Sequence, residues 1–284
     1  MSPRRAVCYR RPMTRHDPFT AAPPDLRELL DLASDLALQA GLIHAEGRRE
    51  TLTLETKSSP TDVVSQVDRQ AERLIVDRLR AERPGDALLA EEGSLLEGGS
   101  GVRWVVDPLD GTTNYVYGYP AYAASIAVEV DGRAVVCVVL DSSSGSLYRA
   151  VAGHGAVCDD RPIRAREQAD LSRALVATGF SYDAAQRQRQ GAVLAAALGR
   201  IRDLRRSGSA ALDLCRVGAG QVDAFWELDL SPWDRAAGAL IAREAGAAVE
   251  LLPAAHGSGP AVVAAHPALM PSLLKLLREA GALA

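Results

Sequence analysis

Apolar residues recur at two different spacings along the chain, one typical of helices and the other of strands. Helical spacing, with an apolar residue at every third or fourth position, covers 26–43 and returns over about 65–83. Asp25 is the predicted N-cap of the first helix, and Gly47 lies near its predicted end. The segment 51–57 between the two helices alternates between apolar and polar residues, which predicts a strand.

Strand patterns dominate the middle of the chain. The sequence "ALLAEEG" predicts a short strand that ends in Glu91 and Glu92, and "WVVD" predicts a strand that ends at Asp107, with Asp110 in the turn beyond. Three more predicted strands, "YAASIAVEV", "RAVVCVVLD" and "GSLYRAV", are separated by the turn sequences "DGR" and "SSSG". These three segments therefore predict an antiparallel meander.

Strands and helices alternate in the second half of the chain. The predicted strands are "ALVATGF", "IRDLRR", "VDAFWEL" and "AVVAAH", and the predicted helices cover about 183–199, 208–219, 232–246 and 267–282. Because parallel and antiparallel patterns both occur, the chain is predicted to have a layered α+β fold. No low-complexity linker divides it, so we expect residues 25–284 to form a single domain.

Composition excludes several classes of protein. Hydrophobic residues make up 48% and charged residues 24%, as in an ordinary globular protein. The net charge of −4 argues against a dedicated nucleic-acid-binding protein, which would carry a basic excess. No run approaches the roughly 18 apolar residues of a membrane span, so no membrane partner is expected. The 4 cysteines form no C-x-x-C pair, which favours packed free thiols in a reducing cytoplasm.

The first 24 residues differ from the rest of the chain. They include the pairs Arg4-Arg5 and Arg10-Arg11 but no apolar stretch long enough for a signal peptide. A twin-arginine export signal would need a hydrophobic region after the arginines, and none follows. We therefore expect 1–24 to be a disordered leader.

The sequence "WVVDPLDGTTN" places Asp107 and Asp110 three positions apart, directly after an apolar strand. Two carboxylates this close repel each other unless a positive charge lies between them. Taken singly, Asp110 and Asp234 are more simply interpreted as helix caps, and Glu91 as a solvated strand end. Together they are hard oxygen donors gathered from several strand ends, to which the Leu109 carbonyl can add a ligand. This set favours a Mg²⁺ site.

Other catalytic motifs are absent from the sequence. Neither a "GxSxG" nucleophile motif nor a P-loop occurs. His154, His256 and His266 show no metal-ligand spacing, so we interpret them as surface or loop residues.

Five segments together resemble the inositol monophosphatase family of Mg²⁺-dependent, lithium-sensitive sugar-phosphate phosphatases. "DPLDGTTN" is preceded by "KSSPTDVVSQVD" and "AEEG" and followed by "RRSGSAALDLC" and "PWDRAAGALIAREAGA", in the family's order, over about 26–282. The likeness is to bacterial inositol-1-monophosphatases of the actinobacterial type. It implies an αβαβα sandwich of the type shared with fructose-1,6-bisphosphatase, hydrolysis of inositol 1-phosphate, and a cytoplasmic homodimer.

The resemblance also assigns metal ligands. Glu91, Asp107 and the Leu109 carbonyl would hold a first ion, and Asp107, Asp110 and Asp234 a second. Glu91 would share a third, weaker ion. Binding of two to three Mg²⁺ ions, with Li⁺ as an inhibitor, is therefore expected.

Catalytic and substrate contacts are implied in the same way. Asp68 and Thr112 would orient and deprotonate the attacking water beside Glu91. The backbone amides of Gly111 and Thr112 would bind the phosphate at a helix start, a position suited to an anion. Contacts to the rest of the substrate would come from Gly208, Ser209, Ala210, Glu227 and Asp234. The chain departs from the family pattern at Gly93, where a serine is common, and at Ser209, where a threonine is common.

Two other classes of function stay open from the residues alone. Paired carboxylates also hydrolyse glycosides when they lie about 5–9 Å apart; such an enzyme would keep its activity in EDTA. An interaction protein is the second alternative, because some bacterial relatives act in transcription or on RNA. A purely non-enzymatic descendant, however, would be expected to lose its metal ligands. Related enzymes act on histidinol phosphate, fructose 1,6-bisphosphate and adenosine 3′,5′-bisphosphate, so the motifs predict a phosphomonoester and leave its identity open.

Overall fold

The computed structural model describes residues 18–49, 54–56, 63–257 and 259–284. Most of the predicted leader, 1–17, lies outside these residues. Its last part belongs to the fold, because Phe19 is only 1% exposed and its ring lies 5.6 Å from the Arg149 guanidinium. The folded part of the chain therefore begins before residue 25.

Two amphipathic helices form the first layer, α1 (Pro24–Gly47) and α2 (Gln66–Glu82), next to a small hairpin of β1 (Leu54–Thr56) and β2 (Val63–Ser65). The prediction that Asp25 caps α1 is wrong, because the helix begins one residue earlier and Pro23 is its N-cap. Proline is favoured at the first helical position, and Asp25 instead lies in the first turn, where its charge suits the helix dipole. The predicted helix over about 65–83 is confirmed as α2.

The larger sheet has eight strands in the order β10-β9-β8-β7-β6-β5-β3-β4. Its strands are β3 (Ala87–Ala90), β4 (Leu95–Leu96), β5 (Val102–Asp110), β6 (Ala123–Val130), β7 (Arg133–Asp141), β8 (Leu147–Val151), β9 (Ala156–Cys158) and β10 (Arg161–Pro162). Only β3 and β5 pair in parallel. The predicted antiparallel meander is confirmed as β6, β7 and β8.

The smaller sheet has five strands in the order β12-β11-β13-β15-β14. Its strands are β11 (Leu175–Thr178), β12 (Asp203–Arg205), β13 (Ala224–Leu228), β14 (Ala248–Pro253) and β15 (Pro260–Ala265). Strands β12, β11 and β13 run parallel, whereas β13, β15 and β14 are antiparallel. The remaining helices are α3 (Thr112–Tyr117), α4 (Ala184–Leu198), α5 (Ala210–Gly218), α6 (Pro232–Glu244) and α7 (Met270–Glu279).

Hydrophobic cores between these elements define five layers. The helices α1 and α2 pack on one face of the eight-stranded sheet, and α5 and α6 lie between the two sheets. The helices α4 and α7 cover the outer face of the five-stranded sheet. The middle layer is tight, because a Cβ at Gly238 of α6 would lie 2.7 Å from Leu214 Cβ of α5. The predicted αβαβα sandwich is confirmed.

Two strands that carry candidate residues differ from their predictions. β3 ends at Ala90, so Glu91 and Glu92 lie in the turn after the strand and not at its end. β5 does not end at Asp107 but continues to Asp110, which pairs with Ala123 after an irregularity in the ladder. Pro108 lacks a backbone N–H and interrupts the ladder locally, yet the pairing resumes beyond it. Asp110 is therefore the last residue of the strand and not part of the following turn.

Within residues 18–49, 54–56, 63–257 and 259–284, no helix has the length and apolar character to cross a bilayer.

Candidate active site

Parallel pairing of β3 and β5 brings the first two acidic candidates together. Ala90 is paired with Val106, and the Glu91 amide donates to the Val106 carbonyl at 3.2 Å. Glu91 thus leaves β3 beside Asp107 of β5. Burial raises the pKa of Asp107 well above its ordinary value, and the charges of Glu91, Asp110 and Asp234 raise it further. These four acids, predicted from three separate motifs, lie in one region.

Asp107 and Asp110 point into this region from either side of the irregularity in β5. Asp107 is 2% exposed, and its Oδ1 accepts a hydrogen bond from the Leu109 amide at 3.0 Å. The Oδ2 of Asp110 accepts from Ser209 Oγ at 2.6 Å and from the Ala211 amide at 2.8 Å. Asp110 therefore binds the first turn of α5 and does not cap α3, whose N-cap is Gly111. Burial raises the pKa of Asp110 to about 7 despite these bonds.

Asp234 combines a structural role with a position in the acidic cluster. It is the third residue of α6, and its Oδ2 accepts from the Ser231 amide at 2.7 Å in a capping box. Burial raises the pKa of Asp234 well above its ordinary value, followed by the charges of Asp110 and Glu91. The interpretation as a helix cap and the interpretation as a site residue are therefore compatible.

The predicted pair Asp68 and Thr112 is in direct contact. Thr112 Oγ1 lies 2.8 Å from Asp68 Oδ1 and 3.1 Å from the Leu109 carbonyl. The other carboxylate oxygen, Oδ2, accepts from both the amide and the hydroxyl of Ser65, the N-cap of α2. Asp68 is fully buried, and this burial raises its pKa against the effect of the Ser65 and Thr112 bonds. Only Oδ1, through Thr112, remains available for chemistry.

The acidic cluster offers carboxylate and carbonyl oxygens as possible metal donors. In the part of the chain that the structure describes, no three histidine, cysteine or acidic side chains are as close as the ligands of a formed metal site. Buried carboxylates repel each other unless a cation separates them, and here several raise one another's pKa. Carboxylate and carbonyl oxygens are the donors preferred by Mg²⁺, so the residues present fit a hard divalent cation.

Two glycines allow α3 and α5 to begin close together. Gly111 has φ +89° and Gly208 has φ +91°, and a Cβ at Gly111 would lie 3.2 Å from the Gly208 carbonyl. Asn114 joins the two segments by donating to the Ala121 carbonyl at 2.7 Å and to the Ser207 carbonyl at 2.8 Å. The predicted phosphate-binding and substrate-binding segments are therefore neighbours, and Ser209 and Ala210 follow as the N-cap and first residue of α5.

A cavity of about 430 Å³ extends from the acidic cluster along the five-stranded sheet. Its lining includes Glu91, Asp234, Glu227 and three aromatic residues, Phe180, Tyr182 and Trp233. The Glu227 carboxylate lies directly over Gly179, where any Cβ would overlap it. Burial raises the pKa of Glu227 well above its ordinary value, and the charge of Asp234 adds to the shift. Glu227 therefore lies at the wall of the cavity, as predicted.

Sequence reasoning missed His44, which contacts β5 from α1, on the face of the sheet covered by the first helical layer. It is fully buried on α1, with Nε2 lying 2.9 Å from the Pro108 carbonyl and Nδ1 lying 2.8 Å from Ser142 Oγ. The available signal was its position: His44 follows Leu36 and Ala40 at helical spacing on the apolar face of α1. The prediction for His154, His256 and His266 is confirmed, since the first two are exposed and His266, which is half-buried, lies in the loop after β15.

Glu72 is a second residue that sequence reasoning missed. Its side chain is 4% exposed and accepts from the Glu92 amide at 2.8 Å and the Ser94 amide at 3.1 Å. It therefore holds the loop that follows Glu91, in which Gly93 adopts φ +102°. Glu72 lies one helical turn after Asp68, and this spacing was its only signal.

Comparisons with known proteins agree with this arrangement. The sequence profile of the inositol monophosphatase family matches residues 25–282. An inositol-1-monophosphatase from Mycobacterium leprae is 47% identical over 247 residues, which cover 81% of this chain and 83% of that protein. The Nus factor SuhB of Vibrio cholerae is 38% identical over 261 residues, 90% of this chain and 98% of that one. The solved structure of Mycobacterium tuberculosis SuhB superposes with a TM-score of 0.78 at 42% identity, covering 91% of this chain and 98% of that chain.

Proposed function

The chain belongs to the inositol monophosphatase family and is therefore a phosphatase, and on this premise we propose that it hydrolyses inositol 1-phosphate to inositol and phosphate with Mg²⁺. The observation that supports this reaction best is the contact of Thr112 with Asp68 at 2.8 Å beside the acidic cluster. A phosphate monoester is doubly negative and repels an incoming nucleophile. The site must therefore supply both positive charge and a base.

The acidic cluster is the proposed location of that positive charge. Two to three divalent ions held by Glu91, Asp107, Asp110, Asp234 and the Leu109 carbonyl would neutralise the phosphate, lower the pKa of water and stabilise the departing alkoxide. The amides at the start of α3, from Gly111 and Thr112, would bind the remaining phosphate oxygens.

Asp68 and Thr112 are the proposed proton relay. Thr112 Oγ1 would accept a proton from the attacking water while its own proton moves to Asp68 Oδ1. Asp68 Oδ2 cannot take this part, because Ser65 already donates two hydrogen bonds to it. Since burial raises the pKa of Asp68, this carboxylate accepts a proton more readily than a solvated one.

The opposite end of the cavity would receive the leaving group. Glu227 can accept hydrogen bonds from the hydroxyl groups of a polyol, and Asp234 lines the same cavity. Gly208, Ser209 and Ala210, at the start of α5, are the further proposed contacts to the leaving group. The Mycobacterium leprae relative supports inositol 1-phosphate by its name. Histidinol phosphate is the alternative substrate, because its ammonium group would pair with the Glu227 carboxylate.

A side-by-side turnover assay tests the proposed function. The substrates are inositol 1-phosphate, histidinol phosphate, fructose 1,6-bisphosphate and adenosine 3′,5′-bisphosphate, each measured with Mg²⁺ and with EDTA. We expect the highest kcat/KM for inositol 1-phosphate, loss of turnover in EDTA, and recovery on addition of Mg²⁺. Turnover that EDTA leaves unchanged would reject the metal-dependent reaction. A higher kcat/KM for histidinol phosphate would reject inositol 1-phosphate as the preferred substrate.

Three further properties are proposed on the strength of the family. Li⁺ is expected to inhibit by replacing the more weakly held Mg²⁺, with an uncompetitive or mixed pattern toward the substrate. Full activity in tens of millimolar Li⁺ would contradict this mechanism. A homodimer in the cytoplasm is the proposed state, which sedimentation of the purified chain and fractionation of cells would test.

An interaction role is the second candidate, because the Vibrio cholerae relative is named as a Nus factor. The acidic residues proposed as metal ligands are all retained in this chain, which supports catalysis whether or not such a role exists. Pull-down of transcription proteins by a catalytically inactive variant would test the interaction separately.

A further inference from the structure

The two hydrogen bonds of the His44 ring have a defined direction. A carbonyl oxygen only accepts, so the Nε2 atom that faces the Pro108 carbonyl at 2.9 Å must carry a proton. Burial lowers the pKa of His44 to about 4, so the ring is neutral near pH 7 and Nδ1 is an acceptor. The Ser142 hydroxyl, 2.8 Å away, therefore donates to Nδ1. Ser142, His44 and the Pro108 carbonyl form a chain of hydrogen bonds.

The Pro108 carbonyl belongs to the same peptide group as the Leu109 amide. That amide donates to Asp107 Oδ1 at 3.0 Å. One peptide group therefore accepts a hydrogen bond from His44 on one side and holds the Asp107 carboxylate on the other. A rotation of this peptide group would break both bonds together.

The sheet does not fix the orientation of this peptide group. The register between β5 and β6 shifts between Asp107 and Asp110, so the group lies in the interrupted part of the ladder. A buried carbonyl without a partner is unfavourable, and His44 supplies that partner from a different layer of the fold. The ring is itself held by the aromatic residues Tyr115 and Tyr122, with ring centroids 6.0 Å and 6.4 Å away.

We propose that His44 is a positioning residue that fixes the Pro108–Leu109 peptide group and, through it, orients the Asp107 carboxylate for binding a divalent cation. The inference rests on the proposed metal-dependent function and extends it to a residue of α1 outside the acidic cluster. Groups that hold metal ligands in place typically contribute about 10- to 100-fold in metal affinity. Loss of the Nε2 bond is therefore expected to weaken cation binding even though His44 is not a ligand.

A pair of substitutions separates this role from simple packing. In His44→Gln the terminal amide can occupy the position of the imidazole Nε2 and donate to Pro108. In His44→Asn the shorter amide reaches only the position of Nδ1, on the Ser142 side. Mn²⁺ binding is measured by the electron paramagnetic resonance signal of the free ion, without turnover, and thermal unfolding is measured in EDTA.

The positioning role predicts different Mn²⁺ affinities for the two variants. His44→Gln should bind Mn²⁺ within about threefold of the unsubstituted chain, and His44→Asn should bind about tenfold or more weakly. Equal weakening in both variants, or unchanged affinity in His44→Asn, would overturn the positioning role. Failure of the unsubstituted chain to bind Mn²⁺ would overturn the proposed function itself, and this inference with it.

Ser142→Ala provides a second test that keeps the His44 ring in place. It removes the hydroxyl that donates to Nδ1 and should weaken Mn²⁺ binding by about threefold, as expected for one neutral hydrogen bond. If the His44 variants unfold in EDTA, this variant decides the question. An unchanged Mn²⁺ affinity in folded Ser142→Ala would then overturn the proposal.

Discussion

The two sides of the cavity are held in place to very different degrees. On the side of the eight-stranded sheet, Asp68, Asp107 and Asp110 each accept one or more hydrogen bonds from backbone amides or hydroxyl groups. On the side of the five-stranded sheet, the Glu227 carboxylate lies over Gly179, and its pKa is shifted by burial and by the charges of Asp234 and Arg206 rather than by hydrogen bonds.

This difference separates the reaction from the substrate. A fixed acidic cluster suits a requirement shared by all phosphomonoesters, namely the neutralisation of the phosphate and the activation of water. A carboxylate whose acceptor sites remain available can bind whichever leaving group enters the cavity. We therefore expect changes on the first side to abolish turnover, and changes on the second side to alter the choice of substrate.

Asp107→Asn should have the largest effect. Asp107 is the proposed bridge between two ions, so turnover should fall at least about a hundredfold at saturating Mg²⁺. The fold should persist, because the amide oxygen can still accept from the Leu109 amide. Since burial and neighbouring charges raise the pKa of Asp107, the neutral variant should unfold at a higher temperature than the unsubstituted chain in EDTA at pH 8.

Asp86→Asn is the matched control for this experiment. Asp86 is also buried, but Arg83, Ser100 and Trp104 donate to it far from the acidic cluster. Burial raises its pKa, yet these three partners outweigh burial and leave the pKa below its ordinary value. Asp86→Asn should therefore keep turnover and lose thermal stability. More than a few per cent of activity in Asp107→Asn would reject the two-metal assignment.

Glu227→Gln should have the next largest effect and should discriminate between substrates. Charge-assisted hydrogen bonds contribute roughly 1.5–3 kcal/mol, so kcat/KM for inositol 1-phosphate should fall about ten- to hundredfold. The fall should be much smaller for p-nitrophenyl phosphate, which has no ring hydroxyl groups. Equal losses on both substrates would place Glu227 in the catalytic machinery and remove the contrast between the two sides. If histidinol phosphate is preferred, the variant should lose that substrate most.

The metal-free protein should become less stable as the pH rises from about 4 to about 7. Burial raises the pKa of Asp110 to about 7, so the folded state binds more protons than the unfolded state over this interval. His44 acts in the opposite direction, because its pKa falls to about 4 on folding, but Asp107, Asp234 and Glu227 add to the effect of Asp110.

Thermal unfolding in EDTA at pH 5 and pH 7.5 measures this dependence. Mg²⁺ should restore stability at the higher pH, because it binds the ionised carboxylates of the folded state. Asp110→Asn should reduce the difference between the two pH values. An unfolding temperature in EDTA that rises with pH would show that the acidic cluster does not carry the unfavourable charge described here.

The sequence predicted the fixed side of the cavity better than the elements that support it. Motif residues such as Asp68, Asp107 and Asp110 could be recognised because they occur in short contiguous segments. His44 and Glu72 could not, because their partners lie at a distance along the chain and become neighbours only when α1 and α2 pack on the sheet.

The fold was predicted at the level of layers but not at every boundary. Short or edge strands such as β9, β10 and β14 were missed because their segments lack a sustained alternation of apolar and polar residues. The end of β5 was misplaced because a proline normally argues against a continuing strand. Here an irregularity in the ladder accommodates Pro108, and this arrangement places Asp107 and Asp110 on either side of it.

Ser209 connects the two sides and should give the smallest effect. Its hydroxyl lies 2.6 Å from Asp110 Oδ2 and accepts from the Leu212 amide at 3.3 Å as the N-cap of α5. Ser209→Ala removes both bonds and should lower the free energy of unfolding by about 1 kcal/mol. Because the Ala211 amide still holds Asp110, turnover at saturating Mg²⁺ should remain, with a several-fold higher Mg²⁺ requirement.

Ser209→Thr is the matched variant, since it retains a hydroxyl group at the same position. It should match the unsubstituted chain in both stability and Mg²⁺ requirement, as measured by thermal unfolding and by Mg²⁺ titration of turnover. If Ser209→Ala lowers stability but leaves the Mg²⁺ requirement unchanged, the hydroxyl acts only as a helix cap. Asp110 would then be held by its backbone partner alone, and the fixed side of the cavity would depend less on α5 than its contacts indicate.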